Sequence, residues 1–492
     1  MQGILSIDQG TTSTRAIIFS KNGKVLAKCQ KEHKQHYSAP DHVEHDADEI
    51  WQNTKQVTCN VIQQAQEQNI NLLTLGITNQ RETIVCWDKN TGEPLHNAIV
   101  WQDKRTAHTC EQLKAISGDI VQQKTGLPLD PYFSASKLAW LLENVEAIKQ
   151  AKADNRLLCG TVDSFLLYKL TDGKVHKTDI TNACRTLLFN IHEKCWDVEL
   201  LDIFNIPPNI LPEVCSNSEH FGDVAKGIFP IELPIHSLIG DQQAATVGQG
   251  CFSKGTLKST YGTGCFAMMN IGKEVKVSDH GLLTTICYQV GHDVTYALEG
   301  SIFVAGSAVQ WLRDSLGLIK TAAETEVCAK RASDNDNVYF VPAFAGLGAP
   351  YWHSSAKGLI TGMTFDTDKN IIIRATLDAV CYQTYDLIKA MENDCGIQIQ
   401  TLKVDGGMTE NNWLCTRMAD ILDCIVLRPK IAETTALGAA YMAGLGCGLY
   451  NNFDDIEENW QLDKVFKSTM KADVRKQKLI GWASAIKTSV AA

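Results

Sequence analysis

The stretch ILSIDQGTTSTRAIIF, residues 4–19, joins two short apolar runs through a turn rich in Gly, Thr, Ser and Arg. Two such runs around a polar turn predict a β-hairpin. A tight hairpin turn can point successive backbone N–H groups into one concavity, and the hydroxyls of Thr11, Thr12 and Ser13 would add further donors. The stretch therefore indicates a turn that binds phosphate.

Asp8 lies beside these donors, and its carboxylate would repel an anion unless a cation lay between them. Mg²⁺ is commonly held by a carboxylate, through waters, together with phosphate oxygens, so a magnesium ion near Asp8 removes the conflict. Arg15 would then neutralise charge on the transferring group. The alternative is a polar hairpin in which Asp8 and Arg15 form a surface ion pair, and this motif alone leaves both interpretations open.

The bulk composition limits the class of protein. A chain of 492 residues exceeds the roughly 250–300 residues at which single cores stop growing, so at least two domains are expected. A net charge of −10 has the wrong sign for a protein that binds nucleic acid or an anionic membrane. Seventeen cysteines without a C-x-x-C pair, no apolar run of membrane-spanning length and no signal-like start lead us to expect a reduced, cytoplasmic protein without stable membrane insertion.

The order of predicted elements indicates an α/β fold. In the first hundred residues, the apolar runs GILSID, RAIIFS, LLTLGIT, TIVCWD and NAIVWQ alternate with a helical segment that begins near Asp46 and Glu49, which have capping-box spacing. SLIGDQQAATVGQG predicts a strand and then a helix, and glycines follow closely. We place the domain boundary there, which gives an N-terminal domain of residues 1–252 and a C-terminal domain of residues 253–492.

Phosphate binding has to use a device other than the common loops, because neither G-x-x-x-x-G-K-[ST] nor G-x-G-x-x-G occurs. GTLKSTYGTGCFAMMN, residues 255–270, repeats the opening design, so Thr263 could hold the same phosphate chain from the other domain. In VDGGMTENNW an acid and two glycines follow a strand and lead into a helix, which would bring Gly407 and Asn411 near the nucleotide. The helix-forming segment TTALGAAYMAGLG is rich in Gly and Ala and is expected to pack closely on a neighbour.

Eight motifs together resemble one known family: DQGTTSTR, GITNQRET, DPYFS, GDQQAA, STYGTGCF, ALEGSIFVAG, PAFAGLGAPYW and VDGGMTENN. Over roughly residues 4–450 they are similar to the FGGY group of carbohydrate kinases, and within it to members that phosphorylate glycerol. The resemblance implies two actin-like, ribonuclease-H-like domains with mixed sheets flanked by helices, and a ligand cleft between them. It also implies transfer of the γ-phosphoryl group of ATP, with Mg²⁺, to glycerol, which yields sn-glycerol 3-phosphate in glycerol catabolism. A homodimer or homotetramer, and nucleotide contacts from Gly306 and Gln310, are further implications.

The acceptor site is expected around NQRE, residues 79–82, because a small polyol needs both donors and acceptors in fixed positions. Arg81 can donate to two hydroxyls and Glu82 can accept from them. Adjacent residues in a strand point to opposite faces, so both can reach one ligand only in a bend or at a strand end. The resemblance implies that they bind glycerol, with hydrogen bonds from Tyr132 and Gln242 and with Trp101 and Phe266 beside the carbon skeleton. The alternatives are a solvated Arg81–Glu82 pair and aromatic residues buried for area alone.

Asp241 is the candidate catalytic base. It follows SLIG at the C-terminal end of a predicted strand, where open α/β sheets gather ligands. A carboxylate there can accept the proton of the attacking hydroxyl, as the counterpart of Asp241 does in the family. The alternative is that Asp241 caps the helix that follows, and one residue can serve both purposes.

Three other interpretations are kept or set aside. A family member that acts on a pentulose or a sugar acid would share the phosphate machinery, and an actin-like ATPase that serves as a chaperone or scaffold would share the fold. His33, His36, His42 and His45 form two H-x-x-H pairs that could suggest zinc, but a proline-containing loop separates the pairs. We expect satisfied or surface histidines there, and a packing role for Cys265.

Overall fold

The computed structural model describes residues 1–333, 337–353 and 355–491. The strands, numbered along these residues, are β1 Gln2–Gln9, β2 Ser13–Ser20, β3 Val25–Glu32, β4 Glu44–His45, β5 Asn71–Asn79, β6 Ile84–Asp88, β7 Ala98–Ile99, β8 Leu157–Thr161, β9 Lys177–Asp179, β10 Phe189–Asn190, β11 Cys195–Trp196, β12 Glu213–Cys215, β13 Ser218–Asp223, β14 Pro234–Gly240, β15 Leu257–Tyr261, β16 Cys265–Gly272, β17 Leu283–Val290, β18 Asp293–Ile302, β19 Tyr339–Val341, β20 Leu359–Thr361, β21 Thr401–Asp405, β22 Ile425–Pro429 and β23 Leu462–Phe466.

Helices flank these strands. They are α1 Ala47–Glu67, α2 Ala107–Thr125, α3 Ser134–Asn144, α4 Glu146–Ala153, α5 Val162–Leu170, α6 Ile180–Ala183, α7 Val198–Ile203, α8 Asp241–Gly248, α9 Gly306–Asp314, α10 Glu324–Arg331, α11 Lys369–Cys395, α12 Asn412–Leu422, α13 Thr434–Gly446, α14 Phe453–Glu457 and α15 Ala472–Ala491, with short 3₁₀ turns at Pro208–Ile210 and Gly407–Glu410. None of the helices in the described ranges combines the length and hydropathy of a transmembrane segment.

The opening stretch forms the predicted hairpin. β1 and β2 pair antiparallel, with Asp8 opposite Arg15, and β5 pairs with β1 in parallel. The described part of this sheet has the order β13-β14-β5-β1-β2-β3. β1, β5 and β14 are parallel neighbours, so their carboxyl ends bring Asp8, Asn79 and Gly240 to one edge.

The second sheet repeats this arrangement. Its described strands have the order β17-β18-β16-β15-β21-β22-β23; β15 pairs antiparallel with β16 and parallel with β21. The turn between Tyr261 and Cys265 thus corresponds to the turn between β1 and β2. The predicted α/β class and the repeated design are confirmed.

The helix α1 begins as predicted. The carboxylate of Asp46 accepts from the backbone N–H groups of Asp48 and Glu49 and so caps the helix. Glu49 does not complete a capping box, because its own carboxylate accepts from the backbone N–H of Lys34. The N-terminus is therefore fixed by one half of the expected motif.

The Gly-rich and Ala-rich helix α13 packs closely, as predicted. A Cβ atom added at Gly438 would lie 1.8 Å from the carbonyl oxygen of Ala244 in α8, and one added at Gly248 would lie 2.0 Å from that of Thr434. On the other side, a Cβ atom at Gly76 in β5 would lie 2.3 Å from the carbonyl oxygen of Ala439. Since such distances exclude any side chain, α13 fixes α8 against the first sheet by backbone contact.

Candidate active site

The first turn presents the hydroxyls of Thr11 and Thr12 more than that of Ser13. Thr12 is exposed and Thr11 is half-buried. Ser13 is buried, and its Oγ accepts from Nε2 of Gln30 at 3.1 Å. Gly10 donates to the backbone carbonyl of Ser13 at 2.9 Å, which closes the turn. In the bond from Gln30 the Ser13 oxygen only accepts, so its O–H group can still donate a hydrogen bond to a phosphate.

Asp8 is buried, not part of a surface ion pair. It is 6% exposed, and burial raises the pKa of its carboxyl to about 6, against the opposing effect of Arg15. Nη1 of Arg15 lies 3.7 Å from Oδ2 of Asp8 but 3.2 Å from Oε2 of Glu433, which also pairs with Lys28. Glu433 and Asp241 both raise the pKa of Asp8 further by charge repulsion. Two cations and two carboxylates thus surround Asp8, and burial is the largest cause of its raised pKa.

The second domain forms a cavity of about 410 Å³ beside its own turn. Its lining includes the residues predicted to contact nucleotide in this domain, which are Thr263, Gly306, Gln310, Gly407 and Asn411. A Cβ atom at Gly306 would lie 2.5 Å from the carbonyl oxygen of Gly262, so helix α9 can begin against the turn only with glycine. The structure therefore brings together residues that lie up to 148 positions apart in the sequence.

Asn411 is engaged as a helix cap. Its Oδ1 accepts from the backbone N–H of Leu414 at 3.0 Å, and its Nδ2 donates to Oγ1 of Thr325 at 3.2 Å. Gly407 has open space where a side chain would be, since no atom lies within 4 Å of a Cβ atom built there. This gap widens the cavity next to the 3₁₀ turn that leads into α12.

Arg81 and Glu82 lie in a bend after β5, as predicted for two adjacent residues that face one ligand. Glu82 has a φ of +63°, a left-handed conformation that is uncommon for a residue with a side chain and that turns its carboxylate back toward the site. Arg81 is 3% exposed and Glu82 1%. The alternative of a solvated ion pair is thus wrong, because both groups are buried and bonded to other residues.

Two partners of this pair, Glu299 in β18 and Arg185, are not among the residues predicted from the sequence. Glu299 accepts from Nη1 and Nη2 of Arg81 at 2.6 and 2.9 Å and from Nη2 of Arg185 at 3.2 Å. Arg185 also donates from Nε to Oε1 of Glu82 at 2.6 Å. Burial opposes ionisation of Glu299, but Arg185 and Arg81 outweigh it and lower its pKa to about 2. A charged residue inside the apolar run ALEGSI was the only signal for this role in the sequence.

Asp241 is the first residue of α8, and its N-cap is Gly240. The alternative that Asp241 is the N-cap is therefore wrong, although Oδ1 accepts from the N–H of Gln242 at 2.7 Å. The same oxygen lies 3.1 Å from Nε of Arg81. The Asp241 carboxylate lies at the edge of the first sheet beside Arg81 and Glu82, and 27% of its side chain is exposed.

Three aromatic side chains border this group. The ring of Trp101 makes edge contacts with those of Tyr132 and Phe266, with centroid separations of 5.5 and 6.3 Å. All three residues are half-buried, so they are not closed into a core. Burial raises the pKa of Tyr132, which keeps its hydroxyl protonated as a donor. Nε1 of Trp101 donates to Oγ1 of Thr11 at 2.9 Å and connects this wall to the first phosphate turn.

The protein side chains near Asp8 could hold Mg²⁺ only together with phosphate oxygens of a bound ligand. In residues 1–333, 337–353 and 355–491, no three His, Cys, Asp or Glu side chains group as a metal site. Mg²⁺ usually keeps several waters and takes one or two carboxylates plus substrate phosphates, and the buried Asp8 beside the first turn could supply one such carboxylate. Two of the candidate zinc ligands bond within the chain: Nε2 of His33 contacts the carbonyl of Thr11 at 2.8 Å, and Nδ1 of His45 contacts Nε2 of Gln80 at 3.2 Å. In the described residues, their other ring nitrogens are buried without a hydrogen-bond partner, so the expectation of satisfied histidines holds for one nitrogen of each ring.

Comparison with known proteins gives a family. Residues 3–248 match the N-terminal domain of the FGGY family of carbohydrate kinases, and residues 257–447 match its C-terminal domain. The chain is 52% identical over 487 residues to the glycerol kinase of Alcanivorax borkumensis, which covers 99% of this chain and 98% of the relative. It is 50% identical over 490 residues to that of Bacillus thuringiensis, with 99% of both covered.

Solved structures agree with this comparison. Plasmodium falciparum glycerol kinase with ADP superposes with a TM-score of 0.94 at 38% identity, over 99% of this chain and 98% of the other. A ligand-bound xylulose kinase from Lactobacillus acidophilus superposes with a TM-score of 0.89 over 100% and 99%. At 22% identity, the second similarity concerns the fold alone.

Proposed function

This chain belongs to the FGGY family of carbohydrate kinases, and from that membership we infer that it transfers the γ-phosphoryl group of ATP to glycerol. The product is sn-glycerol 3-phosphate. The observation that carries the choice of acceptor is the full-length identity of about 50% to relatives named glycerol kinase. The contact between Arg81 and Asp241 supports it, because it places a charged donor beside the proposed base.

Glycerol binds, in this proposal, against the Arg81–Glu82 bend. Oε1 of Glu82 is taken by Arg185, and Oε2 is the oxygen left to accept from a hydroxyl. Three of the five N–H groups of Arg81 are used by Glu299 and Gln243, which leaves Nε, beside Asp241, and one N–H on Nη2. Tyr132 and Gln242 add hydrogen bonds, while Trp101 and Phe266 cover the carbon skeleton.

Asp241 acts as general base. The oxygen of a terminal hydroxyl forms a bond to the γ-phosphorus as the bond to the β,γ-bridging oxygen breaks, and ADP leaves with that electron pair. The hydroxyl proton passes to the Asp241 carboxylate. The Nε of Arg81, 3.1 Å from Oδ1, orients the carboxylate before attack.

ATP spans the two turns. Thr11, Thr12, Ser13 and Arg15 contact its phosphates from the first domain, and Thr263 contacts them from the second. Gly306, Gln310, Gly407 and Asn411 line the cavity that receives the nucleoside. The opposed turns hold the donor in line with the acceptor site, which is the positioning that phosphoryl transfer requires.

Asp8 would hold Mg²⁺, which when bound neutralises charge on the phosphate oxygens. The raised pKa of the buried carboxyl, about 6, is consistent with a group that becomes fully ionised when a cation is near.

The proposal also covers location and partners. We expect a cytoplasmic enzyme that forms a homodimer or homotetramer and does not bind nucleic acid. All seventeen cysteines lie in described positions as free thiols, and most are buried, as small apolar side chains would be. A reducing compartment suits them. The net charge of −10 disfavours nucleic acid, and the oligomeric state rests on family resemblance.

One assay tests the function against its alternatives. The protein is incubated with Mg-ATP and a panel of glycerol, other polyols, pentuloses and sugar acids, and ADP release is followed. Glycerol is expected to give the highest kcat/KM. A ketose or sugar acid used better than glycerol would reassign the acceptor. Turnover that is independent of every small acceptor would favour an actin-like ATPase that acts on protein partners.

A further inference from the structure

Glu299 joins the two domains at the acceptor site. It lies in β18 of the second sheet and is 0% exposed. Its three hydrogen bonds all go to guanidinium groups of the first domain, two to Arg81 and one to Arg185. A buried carboxylate without such partners would be strongly disfavoured, so Glu299 depends on both arginines and in turn fixes the ends of their guanidinium groups.

Five charged side chains, with Glu299 in the middle, alternate in sign. In spatial order they are Asp241, Arg81, Glu299, Arg185 and Glu82, with contacts of 3.1, 2.6, 3.2 and 2.6 Å between neighbours. The two outer carboxylates are those proposed to accept a proton and to bind a hydroxyl. The central carboxylate is the only member that comes from the second domain.

This order gives Glu299 a definable effect on its neighbours. While it occupies Nη1 and Nη2 of Arg81, that guanidinium can present only its Nε edge to Asp241. Without Glu299, the buried Arg81 and Arg185 would keep only the carboxylates of Asp241 and Glu82 as charged partners among these five groups. Arg81 would then turn its two-pronged end toward Asp241 or Glu82 and occupy the oxygens that a ligand needs.

We propose that Glu299 is a positioning residue that holds Arg81 and Arg185 from the opposite domain and thereby keeps Glu82 and Asp241 open to the acceptor. The proposal rests on the proposed function. It deepens that function by making acceptor affinity depend on contact between the domains. It assigns Glu299 no contact with the substrate.

The test compares Glu299→Gln with wild type in steady-state kinetics on the best acceptor from the panel. The expected result is a rise of about tenfold or more in the acceptor KM with less than about a twofold change in the ATP KM. Glu299→Asp keeps the charge on a shorter side chain, and its acceptor KM should lie between the two. Asp394→Asn is the matched control, because Asp394 is a carboxylate of the same domain, 2% exposed, that bonds to Ser278 and His280 instead.

Unfolding midpoints of all variants show whether the comparison is between folded proteins. If Glu299→Gln does not fold, the double variant Glu299→Gln with Arg185→Gln removes one charge of each sign, and the same rise in acceptor KM is expected. An acceptor KM within about twofold of wild type in the folded variant, or an equal rise in both KM values, would overturn the proposal. Failure of the proposed function is separate, because wild type itself would then prefer another acceptor.

Discussion

Nζ of Lys258 donates to Oε1 of Gln242 across 2.6 Å, and the two residues belong to different domains. Lys258 is 0% exposed and also contacts Oγ1 of Thr260 at 3.2 Å and the carbonyl of Phe266 at 3.5 Å. An ammonium group has donors only, so the amide oxygen of Gln242 must face it. The amide nitrogen of Gln242 is thereby turned away from Lys258 and can donate to an acceptor hydroxyl.

Replacing Lys258 with Met should remove this orientation. The amide of Gln242 could then rotate, and the acceptor KM should rise by about tenfold in steady-state kinetics. Lys403→Met is the control, since Lys403 lies in the adjacent strand β21 and donates to the backbone carbonyls of Gln249 and Gly250. Equal effects of the two substitutions would refute an orienting role.

Asp241→Asn should lower kcat by at least about a hundredfold, the range of general-base catalysis, because an amide cannot accept the hydroxyl proton. Binding of ATP, measured by calorimetry, should stay close to that of wild type, since the nucleotide cavity is lined by other residues. Near-normal turnover by a folded Asn variant would remove Asp241 from the reaction.

The buried His45 predicts a pH dependence of stability. Its side chain is 0% exposed, and burial lowers its pKa to about 3, with His33 adding repulsion. In the unfolded chain His45 takes up a proton near its ordinary pKa of 6.5, whereas in the folded chain it does so only near pH 3. Stability from this group is therefore present above pH 6.5 and lost as pH falls below it, by about 1.4 kcal/mol per pH unit.

His45→Asn isolates this effect. Urea unfolding of wild type and variant at several pH values between about 7 and 4 should show the difference in unfolding free energy moving in favour of the variant as pH falls. Groups that do not interact with His45 titrate equally in both proteins and cancel in the difference, whereas the coupled His33 and His36 contribute to it. A difference that is constant with pH would contradict a buried neutral histidine.

Gly438→Ala should destabilise the protein by at least about 2 kcal/mol, because the added methyl group would overlap the carbonyl of Ala244 and force α13 away from α8. The catalytic rate should fall as well, since α8 begins at Asp241. Gly118→Ala in α2 is the control: the new methyl would meet only the flexible side chain of Lys114. Unfolding midpoints and kcat measure both effects, and equal stability of the two variants would count against backbone contact as the fixing element.

Local features of the fold were predictable from the sequence because local pattern determines them. The hairpin at residues 4–19, its counterpart at 255–270, the cap at Asp46 and the close packing of α13 each follow from residues that are neighbours in the chain. The residues predicted to contact nucleotide in the second domain, Thr263, Gly407 and Asn411 from their motifs and Gly306 and Gln310 from the resemblance, meet in one cavity.

The charge partners of the acceptor site could not be predicted in the same way. Glu299 bonds to Arg81 from 218 positions away and to Arg185 from 114. A buried charge in a strand signals that a partner exists, but only the packing of the two domains decides which residue it is. The bond from Gln30 to the Ser13 oxygen has the same origin, since it depends on the register of β2 and β3.

Because Trp101 donates a hydrogen bond to Thr11, its fluorescence is expected to respond to nucleotide binding at the first turn. Indole emission depends on the polarity and hydrogen bonding of the ring nitrogen, and here that nitrogen is bonded to the turn proposed to receive phosphate. Nucleotide that displaces or tightens this turn changes the light emitted by a residue in the wall of the acceptor pocket. The chain has ten tryptophans, and the difference spectrum between wild type and Trp101→Phe separates this one from the others. Occupancy of the phosphate turn can thus be read in solution without any label and before any acceptor is added.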